Sequence, residues 1–292
     1  MTVLSIENFN LLIERPQSKY RDAMRMRISY PNVKIKAGDI VEIHGGNGTG
    51  KSSLLKAISL VDFYDKATDY KVLSGSISFP KDEVLNGYNT LLANNDVMAY
   101  LRQKIAFLGP KKENNERFTF YDFLVEPSIL ALHSKKILSV RWKQASKKEA
   151  KKDFKKSQAF IEDQCKEIFE HYLKDFLYID SFERLKHTFI ELDLMDKASQ
   201  GQKQFLSFFA HWLKAMIISD FLLLDEPFSN LDENQQNSMI ALIKKLRSFK
   251  PNMTIFIIAH NHQGIINNLI TKRLEFIKKS QQDIQVTLRG LV

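Results

Sequence analysis

Nine consecutive residues, Gly45 to Ser53, have the types and spacing to hold a chain of phosphates: G-G-N-G-T-G-K-S-S. Gly45, Gly50, Lys51 and Ser52 satisfy the pattern G-x-x-x-x-G-K-[ST]. With Gly46, Asn47, Gly48 and Thr49 between them, the backbone can turn tightly and aim its N–H groups at phosphate oxygens. A helix opening at Ser52 and Ser53 adds its partial positive charge. Lys51 has the reach for β- and γ-phosphates, and the Ser52 hydroxyl is a Mg²⁺ ligand type. The chemistry expected here is binding of a phosphate chain together with Mg²⁺.

A second group lies far along the chain, in D-F-L-L-L-D-E-P-F-S-N-L-D (220–232). Four apolar residues ending in acid place Asp225 at the carboxyl end of a buried strand, where ligands of open α/β sheets bind. Asp225 can hold Mg²⁺ opposite Ser52. Glu226, one residue on, points elsewhere and could polarise an attacking water. His260 closes the apolar run T-I-F-I-I-A and should emerge on the same sheet edge, within reach of a γ-phosphate. A third group, S-Q-G-Q (Ser199 to Gln202), opens a helix-like pattern at Phe205, Leu206, Phe208, Phe209 and Leu213. Ser199 is a good N-cap, and N–H groups at a helix start form an anion site.

The elements that must carry these residues alternate. Short strands are expected in V-L-S-I-E-N-F, M-R-I-S-Y-P-N-V-K-I and D-I-V-E-I-H-G, with Gly38-Asp39 as a turn. A helix with Leu54, Leu55, Ile58 and Val61 on one face follows the glycine loop, then strands at G-S-I-S-F and K-I-A-F-L-G. From about 119 to 190 the pattern turns helical, with Ile161, Cys165, Ile168, Tyr172 and Phe176 on one face. F-L-L-L-D, N-Q-Q-N-S-M-I-A-L-I-K-K-L-R-S-F and M-T-I-F-I-I-A-H then read strand, helix, strand. Alternation of this kind implies an α/β core with a mostly parallel sheet. The tail after His260 has room for a helix and two short strands, not for a regulatory domain.

The chain has 292 residues, 44% hydrophobic and 26% charged, which is enough for one large domain without a disordered signature. The opening M-T-V-L-S-I-E-N-F-N has no basic stretch before an apolar core, so no secretory signal is expected. Apolar runs such as I-F-I-I-A fall far short of the ~18 residues that span a bilayer. The single cysteine, Cys165, permits no internal disulfide. The formal charge is +9, yet Lys135 to Lys156 holds ten basic residues against Glu149 and Asp153. The remainder is nearly neutral, which argues against a nucleic-acid groove across the whole surface.

Together these motifs resemble the nucleotide-binding domain of the ATP-binding cassette (ABC) family, over nearly the whole chain to about His260. Gly45 to Ser53 is similar to the family's Walker A, F-L-L-L-D-E to its Walker B with the catalytic glutamate, S-N-L-D to its D-loop with Asp232, and A-H-N to its switch histidine. S-Q-G-Q-K-Q sits where the family's LSGGQ signature sits. Ser199, Gly201 and Gln202 match it, and Gln200 replaces the first glycine. The resemblance implies a P-loop NTPase (RecA-like) α/β core, with an N-terminal antiparallel β subdomain and an inserted α-helical subdomain. It implies one nucleotide-binding domain over 1–292, with 1–118 and 199–292 as ATP-binding core and about 119–198 as the helical insertion. It further implies hydrolysis of ATP to ADP and phosphate, with Glu226 and His260 catalytic and Ser52 and Asp225 on Mg²⁺. Ser199, Gly201 and Gln202 would contact the γ-phosphate of ATP held by a second such domain, in a homo- or heterodimer closed head to tail. Tyr20 stands at about the right distance before the loop to stack on adenine.

Two departures are visible. Pro110 stands where the family has a Mg²⁺-ligating glutamine, Gln103 coming too early, and the span from Lys51 to Pro110 is long. The leading functional expectation is the ATPase subunit of a transporter, cytoplasmic and peripheral at the cytoplasmic face of the membrane, working with separate transmembrane permease subunits. The alternative is a soluble ABC-type ATPase acting on nucleic acid, for which the Lys135–Lys156 cluster speaks. Against it, no heptad run for coiled-coil arms exists, and nucleic acid is not the expected partner. The cluster reads otherwise as the solvated face of a helix or as a contact for anionic lipid headgroups.

Overall fold

The computed structural model describes residues 1–17, 23–59, 69–79, 83–85, 104–109, 180–184, 200–217, 219–259 and 266–290, with isolated positions between 163 and 170. Its backbone contacts divide the chain into two compact units. One comprises Met1–Pro110, Asp220–Pro227 and Lys244–Val292, the other Lys111–Ser219 and Phe228–Ile243. Most of the helical pattern expected between 119 and 198, the lysine cluster included, lies outside the described residues.

The first unit is built on one eleven-stranded sheet. Its strands are β1 (Thr2–Arg15), β2 (Met24–Ser29), β3 (Val33–Lys36), β4 (Ile40–Gly45), β5 (Asp69–Phe79), β6 (Glu83–Leu85), β7 (Ile105–Leu108), β8 (Phe221–Asp225), β9 (Thr254–Ile258), β10 (Lys272–Lys278) and β11 (Asp283–Gly290). They run in the order β6-β5-β1-β2-β11-β10-β4-β9-β8-β7, with β3 paired to β1. From β10 to β7 every neighbouring pair is parallel. At the other end β6, β5, β1 and β2 pair antiparallel. The α/β reading with a parallel core and an antiparallel N-terminal part is therefore the observed one.

Burial explains which strands sit where. F-L-L-L-D of β8 and T-I-F-I-I of β9 are buried at every position, as expected of strands covered on both faces. In β2 burial alternates over M-R-M-R-I-S, so one face packs and the other meets solvent. The single strand expected over M-R-I-S-Y-P-N-V-K-I is two, interrupted at Tyr30-Pro31-Asn32. Pro31 has no N–H to donate and ends the ladder. The tail contributes the strands β10 and β11 to the middle of the sheet rather than to its rim.

Helix α1 (Lys51–Ser59) buries Leu54, Leu55, Ala57 and Ile58 into the same cluster as Ile43, Leu223 and Phe256. That packing seats the helix against the strands on either side of its loop. In the second unit, α2 (Gln200–Ile217) carries Trp212, fully buried and donating its Nε1–H to Leu242 O at 2.7 Å. Leu242 belongs to α3 (Glu233–Phe249).

One ionic contact crosses the sheet core. Glu42 and Arg273 are register partners on β4 and β10, and the Arg273 Nε donates to Glu42 Oε2. Glu42 has no exposure at all, and its Oε1 has no hydrogen-bond partner. Removing one member of such a pair strands the other, which costs about 3–5 kcal/mol. Arg273→Met is therefore expected to lower the urea unfolding free energy by about that amount. Glu42→Met combined with Arg273→Met should recover most of the loss.

Candidate functional site

The loop between β4 and α1 folds as the glycine pattern requires. At Gly50 the backbone is left-handed (φ 86°), and a Cβ there would lie 2.2 Å from Ile28 Cδ1. The φ strains any other residue here, and a side chain would also have to displace the Ile28 methyl. Thr49 is buried and donates its hydroxyl to Gly46 O at 2.8 Å, tying the loop to itself. Gly46, Asn47 and Gly48 stay exposed at its rim. Lys51, 5% exposed, folds back into the loop and donates from Nζ to Gly45 O (2.9 Å) and Gly46 O (2.6 Å). Burial lowers its pKa, while the charges of Glu226 and Asp225 oppose that fall.

Asp225 ends β8 at 3% exposure. Burial pushes its carboxyl up to about 6; the neighbouring Glu226 charge adds to this. A hydrogen bond from the Ser52 side chain and the charges of Lys56 and Lys51 act against it. Its Oδ2 makes no hydrogen bond. A buried carboxylate oxygen without a partner beside a serine hydroxyl is the donor set of a hard divalent cation. The residues therefore fit Mg²⁺. Among the described residues no cluster of three or more His, Cys, Asp or Glu exists, so substrate oxygens and water would complete the coordination.

Glu226 turns out of the strand through a left-handed backbone (φ 52°), fixed by its N–H donating to Ile258 O at 2.9 Å. Such a φ costs a glutamate of order 1–3 kcal/mol and persists where the surroundings enforce it. The turn separates the acidic pair: Asp225 stays buried, and Glu226 reaches an open cleft of about 420 Å³. The loop residues Asn47 to Ser53 form another wall of that cleft. The glycine loop, the candidate cation ligands and the candidate base thus converge within one unit, at the carboxyl edge of the parallel strands.

The second unit holds the start of α2 and the S-N-L-D segment, and packs them together. A Cβ on Gly201 would lie 2.6 Å from Asn230 O and 3.0 Å from Gln235 Oε1. Asn230 is left-handed (φ 60°). Asp232 caps α3: its Oδ1 accepts from the Gln235 N–H at 2.8 Å, and Gln235 Oε1 accepts from the Asp232 N–H at 3.2 Å. Tyr20, Ser199, His260 and Pro110 lie outside the described residues, as does the side chain of Gln202.

Sequence reasoning did not single out the far wall of the cleft, which is made by Ile13, Arg15, Met24, Met26 and Tyr70. The strands expected over 3–9 and from Met26 onward stop short of Ile13, Arg15 and Met24. The register that brings Tyr70 of β5 beside them was not legible either.

A family model described as ABC transporter matches residues 28–229. A probable ABC transporter ATP-binding/permease protein of Haemophilus influenzae is 28% identical over 80% of this chain, which spans only 32% of that relative. The probable ATP-dependent transporter ycf16 of Cyanidium caldarium is 27% identical over 84% of this chain and 78% of its own. The lipoprotein-releasing system ATP-binding protein LolD of Syntrophotalea carbinolica is 23% identical over 80% of both. Among solved structures, a dimeric ATP-binding cassette in a post-hydrolysis state with ADP and Pi covers 99% of both chains, with TM-score 0.59 and 18% identity. That likeness is one of fold.

The raised carboxyl of Asp225 makes a stability prediction. Its folded value, about 6, exceeds the ordinary 3.8, so its charge destabilises the fold once ionised. The penalty is absent below about pH 4, grows as pH rises through about 6, and is full above. Asp225→Asn is expected to raise the stability of the nucleotide- and Mg²⁺-free protein at pH 7.5 by about 1–3 kcal/mol. In thermal unfolding the gain should vanish near pH 4.

Proposed function

The chain belongs to the ABC transporter family, and from that premise we propose that it is an ATP-binding and ATP-hydrolysing subunit, energising substrate movement through separate transmembrane subunits. One observation carries the reading: the buried, unpartnered Oδ2 of Asp225, beside Ser52 and next in sequence to the cleft-lining Glu226. No described helix is long and apolar enough to cross a membrane, which is consistent with partners that do.

The loop binds first. Phosphate oxygens take the N–H groups of Gly46 to Ser52, and Lys51 exchanges the carbonyls of Gly45 and Gly46 for the β- and γ-phosphates. Ser52 and Asp225 would hold Mg²⁺, which when bound neutralises charge on the phosphates. Glu226 orients water and accepts its proton as the water oxygen bonds to the γ-phosphorus. The bond from that phosphorus to the β–γ bridging oxygen breaks, releasing ADP and phosphate. His260 contacts the γ-phosphate and positions the water, and Tyr20 stacks on adenine. Ser199, Gly201 and Gln202 at the α2 start of a second copy or a related chain close over the triphosphate, with Asp232 at the same interface. ATP favours the closed pair, and hydrolysis reopens it, a two-state equilibrium biased by ligand. The working location is the cytoplasmic face of the membrane.

Glu226→Gln should keep ATP binding, lose about 10²–10⁴-fold in turnover and accumulate an ATP-dependent dimer in sedimentation. Ser199→Arg should bind ATP yet remain monomeric. Turnover at the parent rate by Glu226→Gln removes Glu226 as the base, and full activity of a monomer removes the shared site.

A further inference from the structure

The glycine loop holds its lysine through two carbonyls, and the two are not fixed alike. Gly45 is pressed from outside, because an ideal Cβ there would collide with Phe276. Gly46 has no such wall. Beyond its chain neighbours, the nearest atom to its ideal Cβ is Thr49 Cγ2, at 3.9 Å. Hydrogen bonds hold this peptide where contact does not. Gly46 O accepts two donors at once, Lys51 Nζ at 2.6 Å and the Thr49 hydroxyl at 2.8 Å. Gly46 itself is exposed, but both donors belong to buried side chains, Thr49 at 4% and Lys51 at 5%, so its carbonyl faces inward. A carbonyl oxygen has two lone pairs, and this one uses both.

ATP binding takes one of the two donors away. When Lys51 turns to the β- and γ-phosphates, Gly46 O keeps Thr49 alone. We infer that Thr49 is a positioning residue: its hydroxyl holds the Gly46 carbonyl and so frees Lys51 to change partners. The inference rests on the proposed exchange at Lys51, and it adds a residue that the pattern G-x-x-x-x-G-K-[ST] leaves open. Without the hydroxyl, Lys51 is the last donor on that oxygen. Its departure then strands a carbonyl in a cradle closed by bound phosphate, and a buried acceptor left unsatisfied is costly. In the empty loop the same deletion removes only the second of two donors, and the loss is smaller. Thr49 therefore acts on the difference between the empty and the loaded loop rather than on the fold. Its backbone N–H stays in the cradle whatever the side chain.

The test measures ATP affinity, with Mg²⁺, by calorimetry on the full chain, beside urea unfolding of the nucleotide-free protein. Thr49→Ser keeps the hydroxyl and Thr49→Ala removes it, and neither adds bulk. Thr49→Ala is expected to bind ATP about five- to a hundredfold more weakly than Thr49→Ser, the range of one buried acceptor left without a donor. Thr49→Ser should bind as the parent does, and the two variants should share one unfolding midpoint. In a Lys51→Met background the two should bind ATP equally, because no lysine leaves the carbonyl. Equal affinity of Thr49→Ala and Thr49→Ser with Lys51 present would overturn the inference and spare the proposed function. A Thr49→Ala loss that persists without Lys51, or that comes with a lower unfolding midpoint, marks a disturbed loop and overturns it too. A parent chain that binds no ATP sinks the proposed function, and the role of Thr49 with it.

Discussion

A carboxylate held inside the protein at the end of a strand is the constraint around which the first unit is arranged. Phe221 to Leu224 are buried, so β8 has no register in which Asp225 reaches bulk water without exposing them. In parallel register Asp225 pairs with Ile258, whose carbonyl then holds the Glu226 N–H and forces the left-handed turn. The sheet thus fixes the deep acid and the shallow acid in one step. Helix α1 supplies the groups that counter the buried charge: Ser52 and Lys56 are four residues apart on one helical face, and Lys51 precedes them. These groups do not remove the penalty, as the raised carboxyl shows. Stability is given up at a position proposed to hold a cation, the usual direction of a stability–function trade.

The loop resolves the opposite problem, a buried cation. Lys51 is nearly covered, yet its ammonium keeps two carbonyl acceptors from its own loop and two acidic charges nearby. A phosphate would therefore not create the lysine site but exchange partners in it. Two neutral acceptors give way to charged oxygens, which adds charge–charge attraction to hydrogen bonds that the ammonium already strengthens. Of the two residues that supply these carbonyls, Gly45 has no room for a side chain: a Cβ there would lie 2.8 Å from Phe276 Cβ and O. Preorganisation of the cradle and accommodation of its lysine are one feature.

The parts of this arrangement legible in the sequence were those written in local patterns. Continuous apolar runs marked β8 and β9, spacing marked the loop, and alternation of strand and helix marked the parallel core. What escaped depends on pairing between distant segments. Nothing local in Asp69 to Ser74 says that β5 begins there, and without that strand Tyr70 has no reason to stand beside Ile13. Likewise K-R-L-E-F-I-K could be read only as a tail strand. Its place between β4 and β11 follows from Arg273 meeting Glu42, a pairing across 231 positions. The split of M-R-I-S-Y-P-N-V-K-I was available in Pro31 and needed only the missing donor to be counted.

The departure from the family signature at Gln200 also has a physical reading within the second unit. Of the two positions that are glycine in LSGGQ, the structure crowds only one. Gly201 is buried, and any side chain there would enter the space of the Asn230 carbonyl, itself held by a left-handed residue next to the α3 cap. Gln200, one residue earlier at the first position of α2, is exposed. Substitution is therefore tolerated where a side chain has room and absent where the S-N-L-D backbone presses on the helix start. By this contact the reciprocal Asp232–Gln235 cap does more than end a helix. It places the carbonyl against which α2 begins, so that the S-N-L-D segment and the helix start at Gln200–Gly201 hold one another in register inside a single chain.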